Sequence, residues 1–326
     1  MTERELVEKV LNCESVERVP VGFWFHFLAD AETGNGLSDH TILERNVQGH
    51  REYLTGFRPD LVKIMSDGYF TYPLADGARD IGEIGDLGAL EAIGKGHVWI
   101  RDQVRLVQEV RAIKPGTFYF YNVFSPATTL RFMIGRPRLL EWLERDRRAV
   151  LEAIGRIGEG LKALSQAVIR EGQADGLYLS VQNPDKGRLG DGFYLEHLAP
   201  GELDILEGAN KAKGRSILHI CGYGGVRNNL AVYRDFPANV FSWAVNVEKV
   251  SLGQGRRLFG GRPVLGGFPN TSGSLLQTGD RRAIEDFTRG LLEEAGREGV
   301  IIGADCTIPQ GIPFERLEWV RQAARR

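Results

Sequence analysis

The amino-acid sequence predicts an α/β fold, a (β/α)8 TIM-type barrel, with residues 1–326 forming a single domain. Eight short apolar segments, rich in β-branched and aromatic residues, alternate along the chain with segments of helical periodicity. This alternation is typical of parallel βαβ units, and a count of eight favours a closed barrel over an open sheet. The chain has neither a G-x-G-x-x-G fingerprint nor a P-loop motif, which argues against the nucleotide-binding open-sheet folds.

The predicted strands are short apolar runs that end at polar residues or glycine. The third run, residues 117–123, is typical because aromatic and β-branched side chains fill most of it. In chain order, the predicted strands span residues 20–25, 60–65, 117–123, 175–182, 215–221, 239–245, 262–267 and 299–305.

The predicted helices are recognised by apolar residues three and four positions apart and by the residues of their first turns. Thr2, followed three residues later by Glu5, predicts a capping box, and Pro126 and Pro137 suit first turns. Residues 67–96 are glycine-rich and too long for a simple connection, so we expect them to cap one face. Further helices are predicted at residues 41–56, 103–113, 151–168, 194–213, 226–234, 247–258, 280–297 and from 313 onward.

The composition is that of a soluble globular protein, with 42% hydrophobic and 26% charged residues. A net charge of -2, without basic clusters, predicts that neither nucleic acid nor a membrane surface is a partner. The chain has no apolar run of the ~20 residues needed to span a bilayer, and its polar amino terminus predicts no signal peptide. Three cysteines are too few for a disulfide framework, so a reducing cytoplasmic location is expected. The sequence leaves the oligomeric state open, with a homodimer as one option.

The most informative stretch is the end of the fifth predicted strand, where His219 and Cys221 lie two positions apart. Residues with that spacing in a strand point to the same side. Cys306 ends the eighth predicted strand, and three nitrogen and sulfur donors leave one tetrahedral position open, as in catalytic zinc sites. The pattern alone also allows a structural interpretation, in which the cysteines are small buried hydrophobes and the histidine is a hydrogen-bonded core residue.

A barrel would bring these three residues together, because its active site lies at the carboxyl ends of the strands. Other polar residues lie at or just beyond strand ends and are predicted to line the same mouth. Asp67 is one of them. Asparagine after a strand more commonly holds a turn or caps a helix, so each assignment is a hypothesis. The predicted substrate-binding residues are His26, Asn122, Gln182, Asn183, Asn246 and Asn270.

Five segments spread over nearly the whole chain give it a family resemblance. They are Arg18-Val19-Pro20-Val21, Phe124-Ser125-Pro126-Ala127-Thr128, Ala174-Asp175-Gly176, Leu218-His219-Ile220-Cys221-Gly222 and Ala304-Asp305-Cys306-Thr307-Ile308-Pro309. With these segments the sequence resembles the uroporphyrinogen decarboxylase superfamily, whose fold is a distorted (β/α)8 barrel.

The superfamily has two branches, and the sequence resembles one more than the other. Decarboxylases carry arginines after strand one that hold the tetrapyrrole, whereas residues 23–28 here contain no arginine. Zinc methyltransferases that work with corrinoid proteins carry His-x-Cys followed far downstream by Cys, which His219, Cys221 and Cys306 match.

This resemblance implies zinc at the three matched residues and methyl transfer between a methylcorrinoid on a corrinoid-binding protein and a small acceptor. The implied acceptor is a thiol or tetrahydrofolate. Two alternatives stay open at this point: a decarboxylase-like enzyme acting on a tetrapyrrole, and a non-catalytic barrel whose zinc is structural.

Overall fold

The computed structural model of this chain describes residues 1–29, 34–78, 80–182 and 189–325. Seven parallel strands lie in chain order in one sheet, and each strand pairs with the next along the sequence. The order confirms the predicted βαβ alternation and the barrel fold class. The strands are β1 Leu61–Ile64, β2 Phe118–Phe124, β3 Gly176–Val181, β4 Arg215–Ile220, β5 Val240–Trp243, β6 Val264–Phe268 and β7 Val300–Ala304.

The first predicted strand, residues 20–25, lies in the eighth position of the ring but forms only an isolated bridge. The amide of Gly22 donates to the Ile302 carbonyl at 3.0 Å, and the Asp60 amide donates to the Val21 carbonyl at 3.1 Å. The amide of Val21 donates to the Asp60 carboxylate at 2.9 Å instead of to a backbone carbonyl. The Val21 amide therefore does not pair with the backbone of β1, and the segment closes the gap between β7 and β1 with one bridge to β7.

Three helices begin with the first-turn residues predicted from the sequence. The hydroxyl of Thr2 accepts the Glu5 amide while the Glu5 carboxylate accepts the Thr2 amide, which confirms the capping box. Pro126 and Pro137 lie in first turns, as predicted. The helices are α1 Glu3–Leu11, α2 Thr41–Gly56, α3 Val98–Ile113, α4 Pro126–Ile134, α5 Arg136–Arg145, α6 Arg147–Arg170, α7 Gly190–Phe193, α8 Ala199–Lys211, α9 Val245–Glu248, α10 Leu252–Leu258, α11 Leu275–Thr278, α12 Arg281–Ala295 and α13 Phe314–Ala323.

Two helix predictions in the second half of the chain were wrong in extent. Only a 3-10 turn, Leu230–Tyr233, forms within residues 226–234, and it begins where the Asn229 side chain accepts the Ala231 amide. The predicted helix at 247–258 is two helices, because Lys249 takes a left-handed conformation with φ 57° and ends α9.

The barrel interior is filled by inward-pointing residues that alternate along the strands. Helix α1 packs its apolar side across the amino-terminal end of the barrel, where Leu6 and Val10 join the cluster of Leu61 and Phe118. A larger cluster fills the space between the sheet and the surrounding helices. The carboxyl end of the barrel is therefore the end that α1 does not cover. No helix in the described ranges is long and apolar enough to cross a bilayer, and the assignment of the chain to one domain stays a prediction.

Candidate metal centre

His219, Cys221 and Cys306 come together at the carboxyl end of the barrel. The ligand atoms of the three side chains all lie within 4.8 Å of one another. His219 is in β4 and Cys221 follows that strand directly, so the two-residue period points both inward. Cys306 lies two positions beyond the end of β7. Two strand ends that are far apart in sequence therefore deliver one nitrogen and two sulfur donors to one place.

The imidazole of His219 is fully buried and is held from one side. Its Nδ1 lies 3.0 Å from the hydroxyl oxygen of Ser242 on β5. Its Nε2 is buried and has no hydrogen-bond partner among the described residues. An unpaired buried nitrogen makes folding less favourable in free energy, so a ligand for Nε2 would stabilise the folded protein. The donor set and this free nitrogen fit a tetrahedral zinc ion with one further position.

The two thiols differ in their readiness to ionise. The hydrogen bond with Cys221 lowers the pKa of the Cys306 thiol well below its usual value, and the charges of His219 and Lys63 act in the same direction. The same hydrogen bond, together with burial, raises the pKa of the Cys221 thiol. The two thiols therefore compete for one shared proton, which metal binding would displace.

A cavity of about 640 Å³ opens above the two cysteines. Aromatic rings of Phe70, Phe124 and Phe132 contact one another along one wall, with centroids 4.8–5.6 Å apart. The lining residues are His26, Lys63, Phe70, Thr71, Phe124, Thr128, Arg131, Phe132, Ser180, Val181, Gln182, Cys221, Tyr223, Asn270, Cys306, Thr307, Ile308 and Pro309. Phe70 and Thr71 belong to the long segment that was expected to cap one face.

Lys63 is a buried cation in the floor of this cavity, with only 5% of its surface exposed. Its ammonium lies 4.2 Å from the ring centroid of Tyr178 and 5.5 Å from that of Trp24. The Tyr178 ring in turn stacks on His219, with centroids 5.2 Å apart. Burial lowers the pKa of Lys63 to about 8, against the opposing influence of Cys306, Asp67 and Cys221.

Three of the six predicted substrate-binding residues line the cavity. His26 is one, and its Nδ1 lies 2.8 Å from the buried Asp67 carboxylate, which also accepts the Phe27 amide at 2.7 Å. Gln182 is the second, and Asn270 is the third, donating to the Thr307 carbonyl at 3.1 Å.

Two other predicted residues, Asn122 and Asn246, are not lining residues of the cavity in the described part of the chain. Asn122 is buried and donates to the Ser66 hydroxyl at 2.8 Å. Asn246 is exposed, and its backbone N–H donates to the Asp305 carboxylate at 2.9 Å. Burial raises the pKa of that Asp305 carboxyl to about 6. Asn183 lies outside the described residues.

Sequence reasoning missed Lys63, Arg131 and Ser242. Lys63 could have been found from the sequence. It lies two positions from both Leu61 and Met65 in a predicted strand, so all three side chains point to the same side, the barrel interior. Ser242 is the register partner of His219 on the neighbouring strand. Arg131 is on α4, and no local pattern marks it.

Comparisons with known proteins agree with this fold. The sequence profile of the family described as "Uroporphyrinogen decarboxylase (URO-D)" matches residues 74–326. No significant sequence match was found among curated proteins. A methyltransferase from Methanosarcina mazei is similar over 99% of this chain and 98% of its own, with a TM-score of 0.74 and 16% identity.

Two further solved structures share the fold at lower similarity. A B12-independent methionine synthase from Shewanella sp. W3-18-1, in complex with selenomethionine, covers 94% of this chain and 97% of its own, with a TM-score of 0.60 and 12% identity. A beta-mannanase from the blue mussel Mytilus edulis covers the same shares, 94% and 97%, with a TM-score of 0.50 and 10% identity. At these identities the likenesses establish a common barrel architecture.

Proposed function

This chain belongs to the uroporphyrinogen decarboxylase (URO-D) family, and from that premise we propose that it is a zinc-dependent methyltransferase. It would move a methyl group between the corrinoid of a partner protein and a thiol or tetrahydrofolate acceptor. The observation that carries the proposal is the convergence of His219, Cys221 and Cys306 within 4.8 Å at the floor of a cavity. The methyltransferase from Methanosarcina mazei, similar in fold, supports the same class of reaction.

The residues of the cluster suit a zinc ion that takes part in chemistry. His219 would offer Nε2 while Ser242 holds Nδ1, and Cys221 and Cys306 would bind as thiolates. Bound zinc would activate a thiol acceptor by deprotonating it, or polarise a nitrogen acceptor. The aromatic wall would exclude water from the acceptor, and Lys63 would offset negative charge near Cys306.

The open coordination position distinguishes this proposal from a structural zinc site. Within the described ranges, the group of possible ligands consists of these three residues, without a fourth histidine, cysteine or carboxylate. Structural zinc sites are closed by four protein ligands, and their loss unfolds the protein. Removal of zinc is therefore expected to inactivate this protein and leave it folded.

A decarboxylase-like reaction on a tetrapyrrole is the second candidate, because the matching family profile carries that name. A tetrapyrrole with several carboxylates needs several cationic anchors. The described cavity wall offers two, Lys63 and Arg131, and residues 23–28 contain no arginine. The methyltransferase proposal therefore fits the site better. Cytoplasmic location and a homodimer stay predictions from the sequence.

Metal analysis of the purified protein tests the proposal directly. Wild type, Cys221→Ser and Cys306→Ser are compared, with Cys13→Ser as the matched control because Cys13 is outside the cluster. About one zinc per chain is expected in wild type and the control, with loss of zinc in both cluster variants and unchanged circular dichroism. Zinc-loaded wild type should then demethylate methylcobalamin in the presence of a thiol or tetrahydrofolate.

Two outcomes would contradict the proposal. Zinc that remains in both cluster variants would place the metal elsewhere. Turnover of a porphyrinogen that is insensitive to chelators, without demethylation of methylcobalamin, would favour the decarboxylase instead.

A further inference from the structure

His26 and Asp67 form a histidine–carboxylate pair at the edge of the cavity. Nδ1 of His26 lies 2.8 Å from Oδ1 of Asp67. Asp67 is fully buried, and its other carboxylate oxygen accepts the backbone amides of Phe27 at 2.7 Å and Leu28 at 3.4 Å. The carboxylate is therefore fixed by the same backbone segment that carries His26, and it holds the imidazole in one orientation.

Nε2 is the ring nitrogen of His26 that this pair leaves available to a molecule in the cavity. His26 lines the cavity wall, and its side chain is 32% exposed. Its ring meets that of Phe70 edge to face, with centroids 5.7 Å apart. In the described part of the chain, Asp67 is the hydrogen-bond partner of the ring. When Nδ1–H donates to Asp67, Nε2 carries the lone pair and can accept a proton.

The proposed methyl transfer releases one proton whichever acceptor is used. In the direction from corrinoid to acceptor, the S–H bond of a thiol or the N5–H bond of tetrahydrofolate breaks, and an S–C or N–C bond to the methyl group forms. The Co–C bond of the methylcorrinoid breaks, and its electron pair stays on cobalt. The proton of the acceptor must therefore be taken up by a base in the site or by water.

Among the described residues of the cavity wall, His26 is the side chain best suited to take this proton. Arginine is not deprotonated in proteins, and the two cysteines would bind the metal. Tyrosine is ordinarily protonated at pH 7, and so is Lys63, because its pKa is about 8. A neutral imidazole, in contrast, accepts protons close to neutral pH. The other titratable residues of the wall are Lys63, Arg131, Cys221, Tyr223 and Cys306.

We propose that His26 is the general base that takes the proton of the methyl acceptor, and that Asp67 positions it. The inference rests on the proposed methyltransferase function and adds the residue that receives the proton. Asp67 would keep the imidazole in the tautomer that accepts at Nε2 and would stabilise the imidazolium formed by the transfer. Because His26 is partly exposed, the imidazolium can pass the proton on to water.

The pH dependence of thiol binding tests this role without relying on methyl transfer. The protein is loaded with Co²⁺, whose sulfur-to-metal charge-transfer absorption increases when a further thiolate binds. It is titrated with 2-mercaptoethanol between about pH 6.5 and 7.5, where a free thiol is protonated. Wild type is compared with His26→Gln. His197→Gln is the matched control, because His197 also lies near a carboxylate and edge to face with an aromatic ring but does not line the cavity.

If His26 keeps the proton of the thiol, the binding constant should be nearly independent of pH in wild type and in His197→Gln. In His26→Gln the proton goes to the solvent, so the binding constant should rise by about tenfold per pH unit. Lys63 and the other titratable groups of the wall are the same in all three proteins, so the difference isolates His26. The same pH dependence in wild type and His26→Gln would overturn the assignment of the base and leave the methyltransferase proposal intact.

A second variant, His26→Ala, tests the role in turnover, because it leaves space for free imidazole. Methyl transfer from methylcobalamin by the zinc-loaded variant is expected to fall by about 100-fold and to recover with added imidazole. Full activity of His26→Ala, or a loss that imidazole does not reverse, would overturn the assignment. Failure of wild type to bind the thiolate would overturn it together with the thiol acceptor of the proposed function.

Discussion

The hydroxyl oxygen of Ser242 lies 3.0 Å from Nδ1 of His219, its register partner on the adjacent strand. Both residues are fully buried, so the contact is not exchanged with water. When the hydroxyl accepts a hydrogen bond from Nδ1–H, the lone pair of the imidazole is on Nε2, the atom that has no other partner. One inward-facing serine thus holds the orientation of the ring that would bind zinc, and its hydroxyl can accept Nδ1–H when Nε2 is the ligand atom.

Ser242→Ala is expected to weaken zinc binding by about 10–100-fold, because the ring loses the group that holds its orientation and accepts Nδ1–H. Competition with a chromogenic chelator measures the dissociation constant. Ser216→Ala is the control, because Ser216 is also a buried barrel serine but its hydroxyl has no partner in the described structure. Equal affinities in Ser242→Ala and wild type would show that the contact does not prepare the ligand.

Lys63→Met is expected to make the zinc-free protein more stable at pH 7, by on the order of 1–3 kcal/mol. The pKa of Lys63 is lowered to about 8 by burial, whereas the unfolded chain protonates it with a pKa near 10.4. The buried ammonium therefore lowers the free energy of unfolding at pH 7. Methionine has a similar volume and no charge, so it removes this loss of stability. Urea denaturation measures the change, and methyl transfer by the zinc-loaded variant should fall.

The control for this substitution is Lys162→Met, which removes a surface ion pair with Asp204 and should change stability by less than about 1 kcal/mol. A Lys63→Met protein that is less stable than wild type would mean that the cation–π contacts outweigh the cost of burial. A more stable but slower variant would identify Lys63 as a residue retained for function.

Much of the fold and the cluster of His219, Cys221 and Cys306 was predictable because both depend on local periodicity. Seven of the eight predicted strands form, since each carries an apolar run that two neighbours bury. The spacing of His219 and Cys221 was sufficient to place both on one side of β4. Cys306 joined them because the barrel fold brings all carboxyl strand ends to one rim.

The parts that were not predictable depend on contacts between distant residues. Residues 20–25 were predicted as a strand, but the Asp60 carboxylate accepts the Val21 amide, so this amide does not pair with the backbone of β1. Gln182 and Asn270 follow β3 and β6 and line the cavity, whereas Asn122 lies within β2 and Asn246 in α9, and neither is a lining residue. Arg131 is one of many arginines in the sequence, and only the packing of α4 beside Gln182 and Tyr223 places it at the mouth.

Arg18→Met is expected to destabilise the fold by about 3–5 kcal/mol, because it leaves a buried carboxylate without its main partner. Arg18 binds Asp60 with two hydrogen bonds of 2.6 and 2.5 Å, and Asp60 is fully buried where residues 20–23 meet β1. Urea denaturation measures the loss. Arg148→Met removes an exposed pair with Glu152 and should cost less than about 1 kcal/mol. Similar losses in both variants would argue that the Arg18–Asp60 pair does not hold the barrel closed.

His50 is expected to make stability depend on pH between about 6.5 and 4. Its ring is fully buried, with Nδ1 2.9 Å from the Asn46 carbonyl, and Nε2 accepts the Met65 amide at 3.0 Å. Burial lowers the pKa of His50 to about 4, whereas a histidine in the unfolded chain titrates near 6.5. As the pH falls through this range the unfolded chain binds a proton that the folded protein does not, so the free energy of unfolding decreases.

The comparison that isolates this effect is wild type against His50→Gln, since glutamine can keep both hydrogen bonds but does not titrate. Between pH 6.5 and 5, wild type should lose about 2 kcal/mol more than the variant. The carboxylates and the other titratable groups are the same in both proteins, so their contributions to the pH dependence of stability cancel in the difference. Parallel stability curves over this range would mean that His50 is protonated in the folded protein, so that Nε2 could not accept the Met65 amide. The packing of α2 against the end of β1 would then need an explanation other than this hydrogen bond. Asp67 follows that strand end and contacts His26 at the cavity.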